Sequence, residues 1–263
     1  MKILKPMFLI FGIVILLQSC NVLYIPNMQN VPLLKEKNEV RVSCGVSDFQ
    51  GAYAITNNIG VIINGQSNLK STSSYVDKEN TQVEDHDCQN KVLELGIGYL
   101  NQISDSKVLE VYGGVGFGKN SIKNSFKDDS TGIFYKKESF SANTFRFFVQ
   151  PNIGITTDIV DIAFSTRFVF LKFSNIDTLG FTTDRLIEKN LYGVEKQNYM
   201  FLEPAVTLRF GYKYVKFHAQ VVSSFCINNQ LINYLPINII LGVHINIGRR
   251  FYSNSNRNKR SLD

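Results

Sequence analysis

The chain has 263 residues, with 28 Lys and Arg against 22 Asp and Glu, a hydrophobic share of 44% and a charged share of 19%. That balance excludes a disordered chain, and four cysteines are too few for a disulfide-dense scaffold. Twenty Phe, twelve Tyr and eighteen Gly without a Trp favour strands, and the net charge of +6 points to anionic partners only if the charges lie on the folded body.

Lys2 and Lys5 precede an apolar run, residues 6–17, too short to cross a bilayer core of about 30 Å as a helix. A basic start, a short apolar run and a small residue before the cleavage point describe a secretory signal. The ending Leu17-Gln18-Ser19-Cys20 resembles the lipobox of bacterial lipoproteins, which makes 1–19 the signal peptide and Cys20 the acylated first residue of the mature chain. More than one acyl chain gives stable anchoring, so membrane lipid is the expected partner. Residues 20–38 then read as an anchor or linker. The signal removes Lys2 and Lys5. The last 15 residues carry Arg249, Arg250, Arg257, Lys259 and Arg260 against Asp263, which leaves 21 bases and 21 acids in 20–248. Nucleic-acid binding loses its compositional support, and residues 252–263 read as a basic, solvated tail.

From residue 39 to 251 the pattern has period two, the strand signature. Phe145, Phe147, Val149, Ile153 and Ile155 oppose Arg146, Gln150 and Asn152; Ile162, Phe164, Phe168 and Phe170 oppose Asp161, Ser165 and Arg167. Leu202, Val206, Leu208 and Phe210 oppose Glu203, Thr207 and Arg209, and Ile237, Ile239, Leu241, Val243 and Ile245 oppose Asn238, Gly242 and His244. Such runs match the 9–11 residues a membrane-crossing strand needs, and apolar-out, polar-in alternation is the transmembrane-barrel pattern. Strands are predicted at 39–47, 50–56, 59–66, 91–101, 107–118, 142–156, 159–173, 199–213, 215–226 and 236–248. A tight bend is expected at Asp48-Phe49. Long polar loops are expected at 67–90, 119–141 and 174–198. The fold class is all-β, an antiparallel up-and-down transmembrane barrel of eight to ten strands, eight if 50–56 merges with its neighbour. An even count puts both chain ends on the periplasmic side.

The inward face carries Arg41, Glu94, Glu110, Arg146, Asp161, Arg167, Glu203, Arg209, Lys216, His218 and His244. A polar lumen that conducts a solute and a plug of paired charges are both open readings, and buried charges must pair. Ser224 and His218 share a face, but six residues of strand separate them by roughly 20 Å, so the chain is expected not to be an enzyme. No Cys/His spacing resembles a zinc site, and no cofactor is expected. Gly113-Gly114-x-Gly116-x-Gly118 reads as a crowded barrel strand, since no helix pattern follows it. Cys44 is expected to face lipid. Cys88 and Cys226, both at extracellular strand ends, could form a disulfide.

The stretch Tyr24-Ile25-Pro26-Asn27…Asn30-Val31-Pro32-Leu33-Leu34…Glu36-Lys37-Asn38-Glu39-Val40 and the stretch Gln50-Gly51-Ala52-Tyr53-Ala54-Ile55-Thr56-Asn57-Asn58-Ile59-Gly60-Val61 resemble a recurring start in outer-membrane β-barrel lipoproteins of Bacteroidota. One departure is Asn38, where Gly would be expected. The resemblance covers roughly residues 20–66 and implies an outer-membrane barrel without implying an activity. It also implies an inner-leaflet anchor, because Asn21-Val22-Leu23-Tyr24 lacks the acidic residues of surface-exposed members. The expected role is structural or surface-interacting. The alternatives are a narrow solute pore and a soluble, lipocalin-like lipoprotein that binds a hydrophobic ligand.

Overall fold

The period-two runs form antiparallel strands. The computed structural model describes residues 22–67, 71–76, 82–128, 134–228 and 231–248; the signal peptide, Cys20 and the 252–263 tail lie outside them. The strands are β1 (Val40–Gly45), β2 (Asp48–Ala54), β3 (Ile59–Ser67), β4 (Ser71–Val76), β5 (Gln82–Gln102), β6 (Lys107–Asp128), β7 (Phe134–Thr156), β8 (Val160–Leu179), β9 (Asn198–Tyr212), β10 (Val215–Ser223), β11 (Phe225–Cys226) and β12 (Ile237–Ile247). The ring runs β1-β2-β3-β5-β6-β7-β8-β9-β10-β12 and closes as β12 pairs with β1. Short β4 and β11 add to the outer parts of β5 and β9. The protein is therefore a ten-stranded, closed, all-β antiparallel barrel. β2 is a strand in its own right, paired with β1 and β3, which removes the eight-strand option. The first hairpin turns at Val46-Ser47, because Asp48 and Phe49 already pair with Gln66 and Gly65.

Two of the expected loops are largely strand. β5 to β8 are 20 to 23 residues long, and they take up much of 82–90, 119–128, 134–141 and 174–179. The reason lies in the side chains. Along β6 the outward residues are Val111, Val115 and Phe117, all exposed, and then Lys119 and Lys123, while the inward ones change from Glu110 and Gly116 to Ile122 and Phe126. The polarity inverts. It inverts in the same register on β5 between Leu93 and Lys91 and on β7 between Phe145 and Asn143, and two residues further down on β8, where Phe170 pairs with Phe147 and Lys172 with Phe145. Below this line the barrel is apolar outside and charged inside; above it, the strands are polar outside and enclose an apolar core. That core joins Ile122, Phe140, Phe173, Tyr199 and Phe201 to Leu191, Val194 and Ile232 of the connecting segments. A continuous outward apolar belt is far larger than the patches soluble proteins expose and suits a bilayer. The lipocalin-like arrangement, with its apolar face inward, occurs only above the belt.

Tight turns at 55–58, 103–106, 157–159 and 213–214 mark one end. The opposite end carries the long connections. Among these is helix α1 (Thr183–Glu188), whose N-terminus is capped by the Thr182 side chain accepting from the Arg185 N–H.

The linker expected at 20–38 does not hold for residues 22–38, which run down the inside of the barrel. At the long-loop end the N–H groups of Leu23 and Tyr24 donate to the Asn233 carbonyl (2.8 and 3.2 Å), Leu235 N–H donates to the Tyr24 carbonyl (2.9 Å), and Tyr24 stacks on Phe201 with ring centroids 4.3 Å apart. Eleven residues later, Lys35 Nζ donates to the carbonyls of Asp105 and Thr156 in the short turns (2.5 and 2.9 Å). The chain then reverses into β1 through Asn38 at φ 66. That left-handed backbone is free to Gly and tolerated by Asn, which accounts for an Asn where Gly would be expected. The even strand count does put Val40 beside Ile247 at the short-turn end. The threaded segment adds a further crossing, so Val22 and Ile247 lie at opposite ends. The expectation of both chain ends on one side is thereby corrected.

Candidate functional site

The candidate site is the filled lumen. A threaded segment has no ladder partner, yet its backbone groups are buried and must be paired. Barrel side chains supply the pairs. Gln220 accepts from the Gln29 N–H (2.8 Å) and donates to the Gln29 carbonyl (2.9 Å). Glu110 accepts from the Leu34 N–H (2.8 Å). The carbonyls of Pro26, Asn30 and Val31 accept from Asn238 (2.9 Å), Gln150 (2.7 Å) and Arg209 (2.8 Å), and Asn120 donates to the Leu23 carbonyl. In return Asn30 Nδ2 donates to Asn64 and to the Gly51 carbonyl (both 2.9 Å), and Gln29 Nε2 to the Glu203 carbonyl (2.5 Å). Pro26 and Pro32 interrupt the segment where no donor is needed.

All eleven inward residues named from the sequence are buried, at 0 to 1% exposure. They form two ion networks around the segment. In the upper one Glu94 pairs with Arg146 (3.3 Å) and Arg167 (3.2 Å) and accepts from Asn64 (3.1 Å). Arg167 also donates twice to Gln150 Oε1 (2.9 and 2.7 Å). Glu203 accepts from the Tyr24 hydroxyl (2.5 Å), and the Arg146 guanidinium lies 5.3 Å from the Tyr24 ring centroid. In the lower network Asp161 pairs with Lys216 (2.6 Å) and Arg209 (3.9 Å) and accepts from Thr156 (2.6 Å). Arg209 Nε donates to His218 Nδ1 (3.0 Å), His244 Nδ1 shares a hydrogen bond with Ser43 (2.8 Å), and Arg41 pairs with Glu39 (2.9 Å). Gln150, Asn152 and Gln220 lie on the inward faces of β7 and β10, where the alternation puts them; missing from the sequence expectation are the amides of the threaded segment, Gln29 and Asn30. The signal for them was the run Asn27-Met28-Gln29-Asn30 between two prolines, polar but uncharged.

Glycines make room for the charged side chains. A Cβ on Gly116 of β6 would stand 2.7 Å from Arg146 Cγ and 2.8 Å from Glu94 Cγ, whereas one on outward Gly113 would meet nothing closer than 3.9 Å. Gly116→Leu is expected to destabilise the barrel by about 1–3 kcal/mol through overpacking, with Gly113→Ala near neutral; urea unfolding in detergent measures both.

Ser224 and His218 are not brought together. Ser224 Oγ donates to Glu203 (3.3 Å), while His218 bonds Arg209. Cys44 is exposed on the outward face; Cys88 and Cys226 are not joined as a disulfide and pack against the apolar core. Among the described residues no group of three or more His, Cys, Asp or Glu could hold a metal ion. At the long-loop end the segment bearing α1 packs on the apolar core through Leu186, Leu191 and Val194. There Arg185 pairs with buried Glu138 (3.1 Å) and lies 5.2 Å from the Phe126 ring centroid.

These features define an outer-membrane-type β-barrel with a filled lumen. No family model and no curated protein matches the chain. Among solved structures it is similar to the outer membrane protease OmpT from Escherichia coli, at 10% identity and TM-score 0.43, over 80% of this chain and 92% of that one. That match stands against the expectation that the chain is not an enzyme, which is corrected to this extent: the similar protein is a protease. At this identity the likeness concerns the fold alone and carries no catalytic residue across.

Proposed function

We propose that the protein is a lipid-anchored barrel of the outer membrane, related to the Bacteroidota-type barrel lipoproteins, whose long-loop end serves a structural or surface-interaction role. The observation that carries this reading is the segment 22–38. It occupies the lumen and is hydrogen-bonded along its length, so the body is a solid pillar with an apolar belt and a built-up outer end, and the pore reading loses its channel. The belt supports integral insertion. The lipobox at Cys20 supports the anchor, and lipid is the partner that both imply. With long loops outward, the end of β12 and the basic tail after it face the periplasm.

The test is membrane retention of the Cys20→Ala variant. An integral barrel remains in the membrane after carbonate extraction and shows a heat-dependent shift on gels. Release into the soluble fraction would overturn the integral reading. Wild-type protein in a planar bilayer is expected to be silent, and steady conductance steps from folded protein would restore the pore.

A further inference from the structure

The geometry points to a lipid site on the outside of the barrel: a groove over β2, β3, β5 and β6, at the long-loop edge of the belt, that holds one lipid with an anionic phosphate headgroup in the leaflet on that side. This rests on the integral reading above. Two like charges face each other there. Lys91 of β5 and Lys119 of β6 are register partners, both exposed on the outward face. Side chains directly opposite in a sheet stand about 4.5–5.5 Å apart at Cβ, and like charges so placed destabilise it. No acid relieves the pair in the register: Lys91 is flanked by Ser67 and Lys119 by Asn143, with Gln89 and Ser121 next above and Leu93 and Phe117 next below. Further up the ladder, Asp87 stands opposite Lys123. An anion between the two ammonium groups removes the repulsion, and Ser67 and Asn143 add neutral donors on either side.

The wall below the lysines is shaped for an acyl chain. The β1–β2 hairpin turns at Val46-Ser47 and β3 ends at Ser67, whereas β5 and β6 run on. The step leaves a groove of about 670 Å³, lined by Phe49, Gly65, Leu93 and Phe117 with Lys91 and Lys119. Phe49 lies across Gly65, where a Cβ would stand 2.0 Å from the ring. Asp48 also lines the groove, but its carboxylate is turned onto Gly45, 2.7 Å from where a Cβ would stand. Two residues lower on each strand, Gly51, Ile63 and Leu95 follow Phe49, Gly65 and Leu93 in the register. With Val42 they line a second groove, of about 340 Å³. Four residues of strand, roughly 14 Å, separate Lys91 from Leu95, so a phosphate on the lysines lays its acyl chain over both grooves. A zwitterionic headgroup brings a cation that the lysines repel, and a free phosphate leaves both grooves unfilled.

The experiment uses the full chain, folded in detergent micelles as its heat-dependent gel shift reports. Native mass spectrometry follows three probes: dipalmitoyl phosphatidic acid, dipalmitoyl phosphatidylcholine and inorganic phosphate. Wild type is expected to retain one phosphatidic acid about tenfold more strongly than phosphatidylcholine, as a charge-assisted contact supplies. Lys91→Gln/Lys119→Gln is expected to lose that preference, while Lys107→Gln, at an exposed lysine of the short-turn end, keeps it. Phosphatidic acid should also raise the urea midpoint of wild type and not of the double variant, because a ligand of the folded state alone stabilises it. Equal retention of the two lipids by wild type, or of phosphatidic acid by wild type and the double variant, overturns the inference. Displacement of the lipid by inorganic phosphate reassigns the lysine pair to a free anion and overturns it as well. Carbonate extraction separates the two readings: a barrel that stays in the membrane without the lipid preference defeats this inference alone, and release of wild type defeats the integral reading and this one with it.

Discussion

Arg167→Met will destabilise the folded barrel by about 3–5 kcal/mol, the cost of removing one member of a buried ion network. Arg167 bridges three parts of the lumen: Glu94 on β5, Gln150 on β7 and the Met28 carbonyl of the threaded segment (3.4 Å), with its guanidinium 4.8 Å from the Phe148 ring centroid. Met keeps much of the volume and loses every donor. Glu94 is then left with Arg146 and Asn64 as its partners, and Gln150 Oε1 and the Met28 carbonyl are buried without the donor they had. The midpoint of urea unfolding in detergent micelles measures the loss. Neutralising the stranded carboxylate in Arg167→Met/Glu94→Gln should return part of it, so the double variant loses less than the two single variants summed. A single-variant loss below about 1 kcal/mol, the level of a surface pair, would sink the network as a stabilising device.

Much of this site was legible because strand side chains alternate with a period of two, so one correct face assignment places a whole strand. Arg146, Arg167 and Arg209 were named as inward on that ground alone. The belt was legible for the same reason. What failed is instructive. Residues 119–128 and 134–141 read as loop because the outward positions become Lys119, Ser121 and Lys123, and a search tuned to apolar-out strands stops there. The same alternation continues with its sign reversed: Ile122 and Phe140 point inward, as in a water-soluble barrel. The segment 22–38 was illegible for a different reason. From Leu23 to Leu34 it is buried at every residue but Ile25, so it has no face and no period. Its Asn and Gln residues pair with the wall, and its Leu33 and Leu34 sit near Val108 and Leu100, at the short-turn end.

Replacing residues 24–34 with a Gly/Ser stretch of equal length will convert the silent barrel into an ion-conducting one. An eight-stranded barrel is just filled by its own side chains; ten strands leave room, and here the threaded segment takes it. Once the segment is gone, the lumen walls at belt height present Glu94, Glu110, Arg146, Asp161, Arg167, Glu203 and Arg209 to one another across open space. Glu110, Glu203, Arg167 and Arg209 lose their bonds to the segment and recruit water in its place, and a hydrated lumen passes ions. The neighbouring amides Gln150, Asn152 and Gln220 lose their contacts with the segment's backbone and become further water ligands. A heat-dependent gel shift identifies the folded variant, and single-molecule current in a planar bilayer reads the outcome: baseline for wild type, discrete steps for the variant, with amplitudes that fall again if the native 22–34 peptide is supplied from the long-loop side. A folded variant that stays silent would mean that the wall side chains or the segment bearing α1 close the lumen without residues 24–34, and the threaded segment would then be a stabilising strut with no part in the seal.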